Sequence, residues 1–142
     1  MRFMVITKAT TESEASIPPA TEVFDTMGAF IQELMDAGVL LAAEGLHPSS
    51  RGARIVIDGD RKTVVDGPFA ETKELIGGFF LVETKSLEEC VEWFKRYPLR
   101  PPAGEPSNIE IRPVIGPEDF SETMTDEQRQ AVAERDKSSR FT

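Results

Sequence analysis

The chain has 142 residues, 39% of them apolar and 29% charged, which allows one ordinary soluble domain and leaves too little material for two independent cores. Sixteen basic against 25 acidic residues give a formal net charge of -9, which repels a phosphate backbone and excludes direct DNA or RNA binding. The longest apolar runs, such as "IGGFFLV", fall far short of the ~20 residues that span a bilayer, so no membrane association is expected.

In chain order, "RFMVIT" is rich in β-formers and predicts a strand over Arg2 to Thr7. The N-terminus has one basic residue, Arg2, followed by a strand-like alternation, and lacks the apolar stretch of a secretory signal. The lone Cys90 can form no internal disulfide, and together these features predict a cytoplasmic protein. Cys90 itself reads as a small helix-face residue, with no histidine near it in sequence. "KATTESEASIPPA" is polar and ends in two prolines, so a loop is expected. From Thr21 the apolar residues Val23, Met27, Phe30, Ile31 and Leu34 recur on one helical face, and Gly38 caps the end.

"VLLAAEGL" predicts a second strand, Val39 to Leu46. "ARIVIDGDRKTVVDG" predicts a hairpin, because β-branched runs flank Asp58-Gly59, a pair suited to a tight turn. "GGFFLVET" is a strand from Gly77 to Thr84. "SLEECVEWFKRYP" is a helix opened by a capping box of Ser86 and Glu89 and stopped by Pro98. Trp93 and Tyr97, four residues apart on that helix, read as packing. "NIEIRPV" predicts the last strand, Asn108 to Val114, and a second box, Thr125 with Gln128, opens a short polar helix to about Lys137.

Strand, helix, strand, hairpin, strand, helix, strand is the split β-α-β order of a ferredoxin-like α+β fold with an inserted hairpin. Residues 1–115 are expected to form the domain and 116–142 an extension with a short helix. Two helices cover one sheet face, yet the strands are apolar on both, with Phe3 and Val5 against Met4 and Ile6, and Phe79 and Leu81 against Phe80 and Val82. A wet second face would expose more apolar area than a monomer tolerates, so a second copy packed through Phe80 and Val82 is expected to cover it. The alternative is that the hairpin and tail fold back over it.

"VVDGPFAETKELIGGFFLVE", "GVLLAAEGLHP" and "IEIRPV" together resemble the YCII-related proteins, DGPF subgroup, in which Asp66, Gly67, Pro68 and Phe69 are the signature tetrapeptide. The resemblance runs from about Met1 to Ile115 and extends to "PEDFSETMTDEQR". It implies a dimeric α/β barrel of ferredoxin-like protomers and little about chemistry. Some members are encoded beside, or fused to, extracytoplasmic-function sigma factors, and others in the wider superfamily are small-molecule enzymes. Members of the wider group are similar to one another in a first-helix histidine suspected to act with an aspartate. This chain has no histidine in "TEVFDTMGAFIQELM", where Asp25 stands alone.

The one histidine, His47, falls at the end of the second strand, where an imidazole could do acid-base work or simply be a turn residue before Pro48. In "DGPFAETKE", Asp66, Gly67 and Pro68 have the chemistry of a tight turn, with Gly67 expected to hold a conformation other residues resist, and Phe69 is expected to turn inward as an anchor. Glu71, Thr72, Lys73 and Glu74 exceed what a turn needs. They can orient a polar ligand or make salt bridges, and Gly77-Gly78 then lets a ligand or another backbone approach. The catalytic candidates are therefore His47, Asp66, Glu71 and Lys73, and the ligand-binding set adds Glu44, Phe69 and Thr72.

One histidine and one cysteine far apart supply no zinc site, a carboxylate-only site of Glu44, Asp66 and Glu71 has no motif behind it, and "GARIVIDGDRK" lacks phosphate-loop spacing. No metal or cofactor is expected. Two classes stay open: a small-molecule binding protein or enzyme with a polar site at the strand ends of a dimeric barrel, or a non-catalytic regulatory or interaction module.

Overall fold

The computed structural model describes residues 1–70, 74–120 and 122–138. Its strands are β1 (Arg2–Lys8), β2 (Leu40–Gly45), β3 (Ala53–Asp58), β4 (Arg61–Asp66), β5 (Ile76–Glu83) and β6 (Ile109–Pro113). Its helices are α1 (Thr11–Glu14), α2 (Thr21–Asp36), α3 (Leu87–Phe94) and α4 (Asp126–Ser138). The strands β2-β5-β1-β6 form one antiparallel sheet in that order, and among the described residues β3 pairs only with β4. The central pair β5 and β1 lies between β2 and β6, the split β-α-β arrangement, and the hairpin is the insertion between β2 and β5.

The chain punctuation explains the elements. Gly38 has φ +71°, in the left-handed region that glycine enters without steric cost, and it ends α2. Gly59 at φ +59° turns β3 into β4. Ser86 Oγ accepts the Glu89 N–H at 3.1 Å, but the Glu89 carboxylate takes the N–H of Lys85 at 2.7 Å, so the reciprocal bond of the capping box falls one residue earlier than expected. Thr125 and Gln128 make both bonds of theirs, at 3.1 and 2.9 Å. The stretch expected to be all loop contains α1, whose Thr10 and Ser13 form a one-turn capping box.

Period-two alternation assigns the faces. Phe3 pairs with Val82 and Val5 with Phe80, and all four are buried against Phe30 and Leu34 of α2 and Cys90 and Phe94 of α3. Phe30, Phe80, Phe94 and Tyr97 meet edge to face with centroids 5.2 to 6.2 Å apart, each such pair adding about 0.5–1.5 kcal/mol beyond area burial. Phe80 and Val82 are therefore core residues under the helices, and the expectation that they form a dimer contact is corrected by one step of register. Trp93 and Tyr97 pack against the same core. Burial pushes the Cys90 thiol up to about 11, as fits an inert packing residue.

The opposite face carries Met4, Ile6 and Phe79, partly buried, with Leu81 only 6% exposed between Met4 and Ala42. The hairpin does not fold back to cover it: Ile55, Val56, Ile57, Val64 and Val65 are all exposed. The α4 helix packs mainly on the short turn Pro117–Phe120 and buries no residue. No helix among the described residues is long and apolar enough to cross a membrane.

Because Phe80 ties three of the five ring contacts to the sheet, Phe80→Ala should lower stability by about 3–5 kcal/mol in urea denaturation. A loss below about 1 kcal/mol would show that the aromatic cluster does not hold the helices to the sheet.

Candidate functional site

Three short segments meet where β2 ends, the hairpin begins and the Asp66–Phe69 turn closes it. After β2, Pro48 leads into a 3-10 turn, Ser49–Arg51. The Ser49 N–H donates to Glu14 Oε1 at 2.9 Å, and its hydroxyl donates to Glu14 Oε2 at 2.5 Å, so one carboxylate at the end of α1 holds both groups. A charge-assisted bond of that length is among the stronger kinds. The same hydroxyl oxygen accepts the Phe69 N–H at 3.0 Å, and the Gly67 N–H donates to the Gly52 carbonyl at 3.0 Å. The turn is thereby latched to the exit of β2 through Ser49, and Ser49 to α1 through Glu14.

Gly67 is required here for space. A Cβ on it would lie 1.7 Å from the Ser49 carbonyl oxygen and 2.6 Å from its carbon. Its φ is not in the left-handed region, so the expectation that conformation demands glycine gives way to close backbone approach. The Gly67–Pro68 peptide is cis. Phe69 does not enter the core: its ring is half-buried beneath the Arg54 guanidinium, 3.9 Å from the centroid, where it braces β3. Gly77 and Gly78 likewise make room for backbone, since Cβ atoms there would meet the Lys8 carbonyl at 3.0 Å and the Glu44 carbonyl at 2.8 Å.

Among the described residues the remaining candidates sit on different stretches of the chain. Glu44 is exposed on β2 opposite Phe79, and Asp66 is exposed at the base of the hairpin opposite Ala53. His47 is exposed, and its two ring nitrogens each lie 3.1 Å from Arg51 Nη1, so its neighbour is a cation where an acid-base pair needs a carboxylate. Asp25 is exposed on α2. Glu71, Thr72 and Lys73 lie outside the described residues. Among the described residues no group of three His, Cys, Asp or Glu could hold a metal ion.

A cleft of about 230 Å³ opens at the same end of the sheet but on the β6 side, lined by Lys8, Ala9, Glu105, Pro106, Ser107 and Asn108. It is smaller than the ~300–1,000 Å³ of typical small-molecule sites. Lys8, largely buried, reaches Glu110 at 3.3 Å, while the Glu105 carboxylate accepts the Thr11 N–H and hydroxyl at 3.0 and 2.8 Å. None of the sequence candidates among the described residues lines this cleft. Glu14 and Ser49, which organise the junction, were missed, and the faint signal for them was Thr10 with Ser13, a box with serine in place of the usual glutamate.

The fold defines a small α+β protein of the split β-α-β kind with a latched hairpin. The YCII-related domain family matches residues 1–116, and the chain belongs to that family. It is also 30% identical over 92 residues to an uncharacterised protein of Rhizobium meliloti (strain 1021), an alignment covering 65% of this chain and 73% of that one.

If the latch is one unit, Glu14→Ala and Ser49→Ala should each cost about 1–3 kcal/mol, and the double variant clearly less than their sum. Additive losses in thermal or urea melts would show that the two residues act independently. Gly67→Ala should cost about 1–3 kcal/mol by forcing Ser49 aside. An unchanged melting temperature would contradict the contact reading.

Proposed function

We propose that this chain is a non-catalytic, homodimeric interaction module of the DGPF subgroup, in which the Asp66–Phe69 turn is an assembly device. The observation that carries this reading is the use made of the turn: its N–H groups are bonded to Ser49 and Gly52, its glycine fits against the Ser49 backbone, and its phenylalanine braces Arg54. The polar candidates around it, Glu44, His47 and Asp66, face solvent on separate segments. A regulatory setting beside sigma factors, which the sequence resemblance implies for some members, suits such a module in the cytoplasm, with residues 116–142 as an appended segment.

The cleft beside Lys8 favours one second reading, a small polar ligand at the strand ends of a dimeric barrel. A thermal-shift screen against a metabolite library separates the two. The module reading expects no compound to raise the melting temperature. A stabilising compound whose effect disappears in Lys8→Ala or Lys73→Ala would replace it with the small-molecule reading.

A further inference from the structure

The hairpin β3–β4 holds five of the exposed large apolar side chains among the described residues: Ile55, Val56, Ile57, Val64 and Val65. A two-stranded ribbon in water is marginal unless a third strand or another surface packs on it. Cross-strand pairing sorts its side chains into two faces. One face reads, from base to tip, Ala53 with Asp66, Ile55 with Val64, and Ile57 with Lys62. The other reads Arg54 with Val65, Val56 with Thr63, and Asp58 with Arg61. The second face is partly occupied, since Arg54 lies over Phe69 and Val56 and Val65 are 49% and 44% exposed. The first is barer, with Ile55, Ile57 and Val64 at 64%, 67% and 66%.

We infer that the Ile55–Ile57–Val64 face docks on the same face of a second copy of this chain, ribbon on ribbon and antiparallel. This rests on the homodimer reading above and names its surface. The charges choose the partner and the direction. Asp66 stands at one end of the apolar row and Lys62 at the other. A two-fold axis through the Ile55 and Val64 row sets Lys62 of each chain against the partner's Asp66, and Ile57 against the partner's Ala53. A parallel two-fold arrangement would place Lys62 on the partner's Ile57 and Asp66 on the partner's Ala53, leaving neither charge opposite its counterpart and gathering both lysines at one end and both aspartates at the other, which like-charge repulsion opposes. The face is therefore complementary to itself in one orientation. Its three β-branched side chains, with Ala53 and the Lys62 stem, offer roughly 400–500 Å² per copy. That is about half of the ~800 Å² per partner in a stable interface, enough for its apolar centre with flanking loops as the rim.

The experiment uses the full chain. Wild type, Ile55→Asp, Lys62→Asp and Asp66→Lys are compared by sedimentation equilibrium, with circular dichroism melts to check folding. Ile55→Asp should weaken association about 30-fold or more, as loss of a central apolar contact does. Lys62→Asp and Asp66→Lys each create like-charge pairs and should each weaken it several-fold. Mixed together they should form a heterodimer approaching wild-type affinity, because every pair in the mixture is again opposite in sign. Should Ile55→Asp misfold, the two charge variants and their mixture decide the matter. A monomeric wild type would remove the homodimer reading and this inference together. A dimeric wild type whose affinity is unchanged in Ile55→Asp, or charge variants that fail to recover on mixing, would leave the homodimer standing and overturn the ribbon contact.

Discussion

The placement of the hairpin depends on the Ser49 hydroxyl. It donates to Glu14 and accepts from Phe69, so a single oxygen joins α1, the exit of β2 and the turn that closes β4. Each of these segments is too short to hold a position alone. The α1 helix has one turn, the 3-10 turn has three residues, and the hairpin has only itself for a sheet. Their geometry is an outcome of shared hydrogen bonds and of the missing side chain on Gly67, which lets two backbones touch.

Beneath this junction the domain is held in a different way. The sheet and the two long helices are joined by apolar burial, with Phe80 as the ring that touches both helices' aromatic residues. The core thus supplies a rigid platform, and the latch supplies direction to the parts that extend from it. The candidate polar residues lie at the edge of that platform: Glu44 near the end of β2, and His47 and Asp66 on the segments that extend from it, all three exposed.

Element order was legible because the periodicities are clean and glycine or proline stands at nearly every boundary. The facing of β5 was harder to read. A strand apolar on both sides gives no alternation to choose by, and Phe80 and Val82 reveal their side only through their pairing with Val5 and Phe3. The turn chemistry of Asp66 to Pro68 was legible as structural, while its reason was not, because the neighbour that excludes a side chain at Gly67 is 18 positions earlier in the chain. Glu14 was hidden for the same cause: a polar residue in a polar stretch signals nothing until Ser49, 35 residues away, is beside it. Lys8 carried no motif, and the residues that line its cleft with it, 105 to 108, come far later in the chain.

Six residues of β3 at about 3.3 Å each make the hairpin a cantilever roughly 20 Å long, clamped at one end. Tilting such a beam by about 10° at the clamp would carry its tip through some 3–4 Å, nearly the spacing between neighbouring strands. The atoms that set that tilt, Ser49 Oγ and the Gly52 carbonyl, sit at the fulcrum and nowhere near the tip. Substitutions at the fulcrum are thus magnified along the beam, while those at the tip stay local.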